Sequence, residues 1–116
     1  MAKIKISDLS LRATVGTNEW ERKNKQDVLI NISIEYDAGR ASQTDDIKDA
    51  VDYKNITKRV IKTVEASRFH LLEKLAATVL EVVMKDKKVA SAIVRIDKPH
   101  ALHFAKSVSV ELFAHR

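Results

Sequence analysis

The chain has 116 residues and a mass of 13.1 kDa, enough for one domain with one hydrophobic core. It contains no cysteine, which excludes disulfides, thiolate metal ligands and a cysteine nucleophile. No apolar run approaches the roughly 20 residues that span a bilayer. We therefore expect one domain over residues 1–116, in the cytoplasm and without contact to a membrane.

The net charge of +5 raises the question of a polyanionic partner. The basic residues are dispersed among acidic and apolar ones, and aromatic residues, on which nucleic-acid bases stack, make up only 5% of the chain. These features argue against nucleic acid as a partner. A small phosphorylated ligand remains compatible with the charge.

Two segments near the N-terminus alternate polar and apolar residues, which is the period of a half-buried strand. They are residues 3–9, KIKISDL, and residues 28–36, VLINISIEY. The alternation predicts two strands that pair with each other. The loop between them carries Glu21, which on its own would be interpreted as a surface charge.

Two helices are predicted after a polar turn at residues 37–46. The segment from Tyr53 to Ala66 spaces its apolar residues at helical intervals. Residues 67–85, SRFHLLEKLAATVLEVVMK, gather theirs into one broad stripe. Each helix therefore has one face that must be buried.

The last two predicted strands, residues 89–97 and 106–113, alternate again. The order strand, strand, helix, helix, strand, strand predicts an α+β fold. In this fold a four-stranded antiparallel sheet carries both helices on one face. The other face of the sheet must meet water or another subunit.

Two ionisable residues are candidates for a ligand site. Glu73 lies at the border of the second apolar stripe, where a half-buried carboxylate could accept two N–H groups of a heterocycle, or could simply pair with a nearby lysine. Lys98 ends a predicted strand, and Pro99 after it favours extended backbone, so Lys98 could be a base, a phosphate contact or a solvated turn residue.

Several other kinds of site find little support. His100 and His103 lie three residues apart in a proline-containing loop, a poor match to zinc-binding spacings, so we expect no metal. No serine lies in a G-x-S-x-G motif, and two glycines in the whole chain leave no glycine-rich phosphate loop. Triad hydrolases and P-loop enzymes are therefore excluded.

Four stretches, taken in this order and spacing, resemble the family of dihydroneopterin aldolases and dihydroneopterin triphosphate 2'-epimerases. They are VGTNEWERKNKQDV (15–28), SQTDDIKDAVDYKNI (42–56), RFHLLEKLA (68–76) and RIDKPHALHFAKSVSVEL (95–112), and the resemblance covers about Ile4 to Phe113. The family implies the tunnelling fold, in which four subunits join their sheets into a barrel. Two such rings stack as an octamer, with active sites between subunits.

The resemblance also implies roles for five residues. Glu73, helped by the backbone near Leu72, would anchor the pterin ring. Lys98, with an ordered water, would remove the proton of the 2'-hydroxyl group, and Glu21 would contact the substrate side chain and that water. Tyr53 would deliver a proton to the intermediate. The pterin ring accepts the electrons itself, so no cofactor and no metal is implied.

The resemblance leaves the activity open. Release of the retro-aldol intermediate would make the chain an aldolase of folate biosynthesis, giving 6-hydroxymethyl-7,8-dihydropterin and glycolaldehyde, whereas re-addition would make it an epimerase giving dihydromonapterin triphosphate. Lys25, where a glycine commonly precedes Gln26, and the stretches RFHLLEKL and HALHFAKSVSVEL favour the epimerase, although the Lys98-Pro99 pair is also familiar among aldolases. A non-catalytic pterin or purine binder is a further alternative, but such a protein would not need a base and a proton donor.

Overall fold

The computed structural model describes all 116 residues and confirms an α+β fold. The strands are β1 (Ala2–Val15), β2 (Gln26–Tyr36), β3 (Arg68–Phe69), β4 (Val89–Pro99) and β5 (Ser107–His115). The helices are α1 (Glu19–Lys23), α2 (Gly39–Thr44), α3 (Tyr53–Ala66) and α4 (Leu72–Met84), with a 3-10 turn at Ile47–Asp49. None of the helices combines the length and the apolar character needed to cross a membrane.

The sheet has five strands in the order β3-β1-β2-β4-β5, and the prediction of four antiparallel strands is wrong in this respect. β1, β2, β4 and β5 pair antiparallel as expected, but the two-residue β3 runs parallel to the end of β1. Its residues were predicted as part of the second long helix, which begins only at Leu72. Phe69 is 4% exposed, so pairing beside Val15 lets it join the core.

A β-bulge makes β1 longer than its alternation predicts. The apolar residues of β1 are even-numbered before the bulge (Ile4 and Ile6) and odd-numbered after it (Leu9 and Leu11). They change from even to odd because the register of pairing with β2 shifts between Ile6 and Leu9. At the bulge Asp8 has φ 52°, and its backbone N–H donates to the side-chain oxygen of Asn31. The extra residue keeps apolar side chains on one face along the whole strand.

The core lies between the sheet and the two long helices, as predicted. It is one cluster of 22 buried apolar residues, including Val28, Ile30, Ile32 and Ile34 of β2, Ile56, Val60 and Val64 of α3, and six residues of α4. Burial of each large aliphatic side chain contributes about 1.5–3 kcal/mol. No helix covers the other face of the sheet, which carries charged side chains such as Lys5 and Arg95.

Two segments predicted as irregular contain short helices. The polar turn at residues 37–46 includes α2, and the loop with Glu21 includes α1. α1 and α2 have five and six residues and bury none of them, so neither has the apolar periodicity by which a helix is detected in a sequence. Glu21 therefore lies in a short helix, which gives its backbone a defined position.

Candidate active site

A carboxylate and a lysine side chain meet at the end of the sheet. Lys98 Nζ lies 2.5 Å from Glu21 Oε2, and the two side chains are only 11% and 17% exposed. Lys98 is the penultimate residue of β4 and follows the parity of the buried Val94 and Ile96, so its side chain leaves the sheet on the helix-covered side. Position along the strand therefore accounts for the shielding of Lys98.

Two further groups converge on this pair. The side-chain amide of Gln26 donates to Glu21 Oε2 over 3.4 Å and to the carbonyl of Val15 over 3.1 Å. Lys98 Nζ also donates to the Val15 carbonyl, over 3.4 Å. Glu21 Oε2 and one backbone carbonyl thus share the same two donors, which fixes the relative positions of Glu21 and Lys98.

The second carboxylate oxygen of Glu21 is held by the backbone that begins α1. Glu21 Oε1 accepts from the backbone N–H groups of Thr17 and Asn18, over 3.3 and 3.5 Å. In return Asn18 Oδ1 accepts from the backbone N–H of Glu21 over 2.8 Å, which completes a capping box. Glu21 Oε2 therefore binds Lys98 and Gln26, whereas Oε1 binds the backbone at the start of α1.

Gly16 provides the space in which the Glu21 carboxylate sits. Its φ is 140°, and a Cβ at this position would lie 2.3 Å from the carboxyl carbon of Glu21. The backbone N–H of Gly16 donates to the carbonyl of Phe69, as does the guanidinium of Arg22 over 2.7 Å. β3 and the loop before α1 are thereby joined next to the ion pair.

The surroundings of Glu21 favour its ionised form. The hydrogen bond from Lys98 lowers the pKa of the Glu21 carboxyl below its ordinary value of 4.5, with smaller contributions from Gln26, Asn18 and the charge of Lys98, while burial acts in the opposite direction. Glu21 is therefore a carboxylate near neutral pH. The Glu21–Lys98 pair can orient a water molecule or a substrate hydroxyl for proton transfer.

Glu73 lies at the start of α4 and is exposed, so the prediction of a half-buried carboxylate is wrong for the single chain. The helix begins at Leu72, and no neighbour covers Glu73 as the second residue of its first turn. Leu72 packs against the core, and no side chain caps the helix at Leu71. The first turn of α4 therefore presents a carboxylate and open backbone N–H groups to a ligand.

Tyr53 is not close to the Glu21–Lys98 pair within one chain. It is the first residue of α3, is 50% exposed, and lines a separate cavity of about 530 Å³ with Asp52 and Lys58. α3 has 14 residues and so spans about 20 Å, and its other end leads into β3 beside the pair. The structure thus joins Lys98 with Glu21 and separates Tyr53 from both.

The sequence analysis missed the residues that hold the pair, namely Gln26, Gly16, Asn18 and the carbonyl of Val15. The spacing of Asn18 and Glu21 is that of a capping box and could have indicated the start of α1. The partners of Gln26 carry no local signal because they depend on the approach of β1, β2 and β4. No group of three histidine or acidic side chains that could hold a metal ion is found.

Comparisons with known proteins find a matching family and similar sequences and structures. The model of the FolB family, dihydroneopterin aldolase, matches residues 4–113. Dihydroneopterin triphosphate 2'-epimerase of Pseudomonas aeruginosa is 49% identical over 116 residues, which are 100% of this chain and 94% of that protein. Dihydroneopterin aldolase of Escherichia coli is 30% identical over 105 residues, which are 90% of this chain and 86% of that protein. The crystal structure of an Escherichia coli dihydroneopterin aldolase in complex with neopterin superposes with a TM-score of 0.93 at 29% identity, covering 98% of this chain and 99% of the other.

Proposed function

Because this chain belongs to the dihydroneopterin aldolase family and has its tunnelling fold, we propose that it epimerises dihydroneopterin triphosphate at C2', giving dihydromonapterin triphosphate. The observation that carries the proposal is the shielded Glu21–Lys98 pair. The 49% identity to an epimerase, against 30% to an aldolase, favours this branch of the family. A non-catalytic pterin binder would have no use for the pair.

Recognition of the pterin ring is assigned to the start of α4. Glu73 has no hydrogen-bond partner in the chain, so both oxygens of its carboxylate are free to accept the N3–H and 2-amino groups of the pterin. The open N–H groups of the first helical turn, near Leu72, supply donors for the ring's acceptors. The neopterin complex of the Escherichia coli aldolase supports a pterin-type ligand for this fold.

The unprotonated amine of Lys98, acting with an ordered water, is assigned the removal of the proton from the 2'-hydroxyl group and becomes an ammonium group. Glu21 holds Lys98 Nζ and that water in place through Oε2. The oxygen then forms a carbonyl group as the C1'–C2' bond breaks. The electron pair of that bond passes into the dihydropterin ring, N5 takes up the proton that Lys98 removed, relayed through the ordered water, and the products are an enol-like pterin and an aldehyde.

The fate of the aldehyde decides between the two activities of the family. Re-addition of the enol to the other face of the aldehyde re-forms the C1'–C2' bond with C2' inverted, and N5 gives up its proton. Protonation of the enol carbon by the Tyr53 phenol, with return of the N5 proton to the resulting phenolate, instead releases 6-hydroxymethyl-7,8-dihydropterin. Both outcomes use the same ion pair, and only the second requires Tyr53.

The position of Tyr53 supports an active site made by more than one chain. Within one chain it lies about 20 Å along α3 from the end that adjoins the Glu21–Lys98 pair. We assign Tyr53 of each site to a neighbouring subunit, in a cytoplasmic octamer of two tetrameric rings built from the single domain 1–116. The uncovered face of the sheet then lies inside the barrel.

The test is to incubate the purified protein separately with 7,8-dihydroneopterin and its triphosphate and to separate the pterin products by chromatography. We expect mainly the 2'-epimer, formed faster from the triphosphate. Mainly 6-hydroxymethyl-7,8-dihydropterin from the unphosphorylated substrate would identify an aldolase instead. Turnover of neither substrate, combined with binding of pterin, would contradict an enzymatic function.

A further inference from the structure

Two short segments, α1 and β3, are tied together by reciprocal hydrogen bonds. The guanidinium group of Arg22 in α1 donates to the backbone carbonyls of Phe69 and Gly16, over 2.7 and 3.3 Å. In the other direction, the guanidinium group of Arg68 in β3 donates to the backbone carbonyl of Arg22 over 3.3 Å. Arg22 is 47 residues from Phe69 and 46 from Arg68 in the sequence, so these contacts join segments that meet only in the folded chain.

Arg22 uses its guanidinium group to bridge two carbonyl groups and not to neutralise a carboxylate. It forms no ion pair, and it is partly buried. The carbonyl of Phe69 also accepts from the backbone N–H of Gly16 over 3.1 Å, so both of its lone pairs are occupied. A planar guanidinium group donates to two acceptors at fixed relative positions, which an ammonium group does not. Arg22 therefore holds β3 at a defined position against the loop before α1.

The contacts between α1 and β3 lie directly beside the proton-transfer groups. Arg22 follows Glu21 in α1, so the backbone position of one fixes that of the other. Phe69 pairs with Val15, and the carbonyl of Val15 accepts from Lys98 Nζ over 3.4 Å. β3 is therefore placed against both members of the Glu21–Lys98 pair.

β3 also leads directly to the start of α4. Glu73 lies four residues after Phe69, in the first turn of that helix. The core holds the body of α4 through six buried residues, the first of which is Leu75. In the first turn only Leu72 packs against the core, and it is partly exposed. The start of α4 thus takes its position in part from β3, and so from Arg22.

We propose that Arg22 is a positioning residue that sets the distance between the pterin anchor Glu73 and the base Lys98. The proposal rests on the proposed function and deepens it. The ring edge held by Glu73 and the 2'-hydroxyl group belong to one small molecule with a rigid ring, so that hydroxyl group reaches Lys98 only when the two protein groups are correctly spaced. A displacement of about 1 Å lowers a rate about 10²-fold. Arg22 itself is assigned no contact with the substrate.

The test compares Arg22→Gln with the wild-type protein and with Lys23→Gln. Arg22→Gln should lower kcat about 10²-fold for both epimer formation and release of 6-hydroxymethyl-7,8-dihydropterin, because both begin with loss of the 2'-hydroxyl proton. Binding of pterin itself, which lacks the side chain and uses only Glu73, should stay as in the wild-type protein when measured by fluorescence quenching. Lys23→Gln removes the same charge from the next residue, whose partner is the exposed Glu19, and should leave kcat unchanged.

Two further measurements distinguish positioning from general support of the fold. Guanidinium chloride at low millimolar concentration should restore part of the kcat lost in Arg22→Ala, whereas sodium chloride should not, because only the first replaces the missing donor group. In a Glu73→Ala background, Arg22→Gln should lower kcat/KM much less than it does with Glu73 present. A substrate that Glu73 no longer anchors cannot be displaced relative to Lys98 by a shift of β3, so the two substitutions are not additive.

A wild-type kcat in Arg22→Gln would overturn the proposal, as would an unchanged effect of this substitution in the Glu73→Ala background. Loss of pterin binding in proportion to kcat would show that Arg22 supports the whole site and does not set a distance. These results leave the epimerase assignment intact. Failure of the wild-type protein to turn over either substrate would instead contradict the proposed function, and the proposal for Arg22 with it.

Discussion

The end of the sheet and the N-terminal ends of the two long helices differ in how far a single chain completes them. At the sheet end, Glu21 and Lys98 are shielded and each is tied to the backbone as well as to the other. At the helix ends, Tyr53 and Glu73 are exposed, and the Tyr53 ring lines a cavity that does not include the pair. One region is assembled by folding, and the other has candidate residues without partners.

This difference follows from the chemistry that the two regions are proposed to perform. Proton transfer depends on distances between protein groups, and these are best fixed by the fold itself. Recognition of a ligand requires free acceptors and donors, so the carboxylate of Glu73 must remain without a partner in the empty site. We infer that folding prepares the proton-transfer groups and that assembly with a second chain completes the site with Tyr53.

The largest expected effect is that of Lys98→Ala. Removal of the general base should lower kcat about 10³-fold for both epimerisation and release, since both begin with loss of the 2'-hydroxyl proton. Pterin binding, which is assigned to Glu73, should change much less, as measured by ligand fluorescence quenching. Lys87→Ala is a control with the same loss of charge. A Lys98→Ala protein that retains either activity would show that Lys98 is not the base.

Co-expression of Lys98→Ala chains with Tyr53→Ala chains tests whether the Lys98 and Tyr53 of one site come from different chains. Neither variant alone should release 6-hydroxymethyl-7,8-dihydropterin at the wild-type rate. Co-expression of the two should restore up to about a quarter of the sites, because random mixing pairs an intact Lys98 with a neighbour's intact Tyr53 at that frequency. A complete lack of recovery in mixed oligomers would place both residues of each site in one chain.

The substitution Gly16→Ala should have the next largest effect. Its Cβ would overlap the Glu21 carboxyl group at 2.3 Å, and φ 140° is unfavourable for alanine, so we expect a loss of about 1–3 kcal/mol in the free energy of unfolding. Displacement of Glu21 from Lys98 should also lower kcat about 10²-fold. The measurements are urea unfolding and product formation.

Gly39→Ala is the matched control for this substitution. A Cβ at Gly39 would meet only Asp37 Oδ1, at 3.1 Å, and lies far along the chain from the pair. It should leave kcat unchanged. Equal effects of the two alanine substitutions on kcat would refute the idea that Gly16 positions Glu21.

The long elements could be predicted from the sequence because their periodicity reports burial directly. The helix over Tyr53–Ala66 agrees with α3 at both ends, and β2 and β4 differ from their predictions by only two residues at one end. β1 was predicted too short because the bulge at Asp8 breaks the alternation. β3 was missed because a two-residue strand has no period, and its pairing depends on distant residues in β1.

The site could be predicted only in part, for a similar reason. Lys98 was a candidate because it ends a strand before Pro99, and Glu21 was identified only through the resemblance to a known family. Their contact with each other spans 77 residues of sequence, so no local pattern predicts it. The side chain of Gln26 donates a hydrogen bond to Glu21, and the absence of a side chain at Gly16 leaves room for the Glu21 carboxylate. Both contacts form only in the folded chain, so no local sequence pattern predicts them. Glu73 was expected to be half buried because a helical wheel assumes that the helix and its neighbours extend past the residue in both directions. α4 begins one residue before Glu73.

The smallest expected effect is the pH-dependent contribution of the Glu21–Lys98 pair to the free energy of unfolding of the protein. The pKa of Glu21 is lowered in the folded protein by the hydrogen bond from Lys98, so the unfolded chain takes up this proton at a higher pH than the folded one. The contribution to stability is therefore fully present above the ordinary value of 4.5 and is lost as the pH falls through the lower value of the folded state. Glu21→Gln removes this contribution but keeps a side chain of nearly the same size.

We expect Glu21→Gln to lower the free energy of unfolding by about 1 kcal/mol at pH 7, the value of a charged hydrogen bond reduced for partial exposure to solvent. The difference from the wild-type protein should shrink as the pH falls below 4.5, because the wild-type carboxylate becomes protonated as the pH passes its lowered pKa and loses its attraction for Lys98. Urea unfolding at several pH values and one protein concentration measures this difference, and Glu19→Gln, which alters an exposed pair with Lys23 on the same helix, is the control. A difference that stays constant as the pH falls from 7 to well below 4.5 would mean that Glu21 stabilises the fold through its capping of α1 alone, and that its contact with Lys98 serves the reaction and not stability.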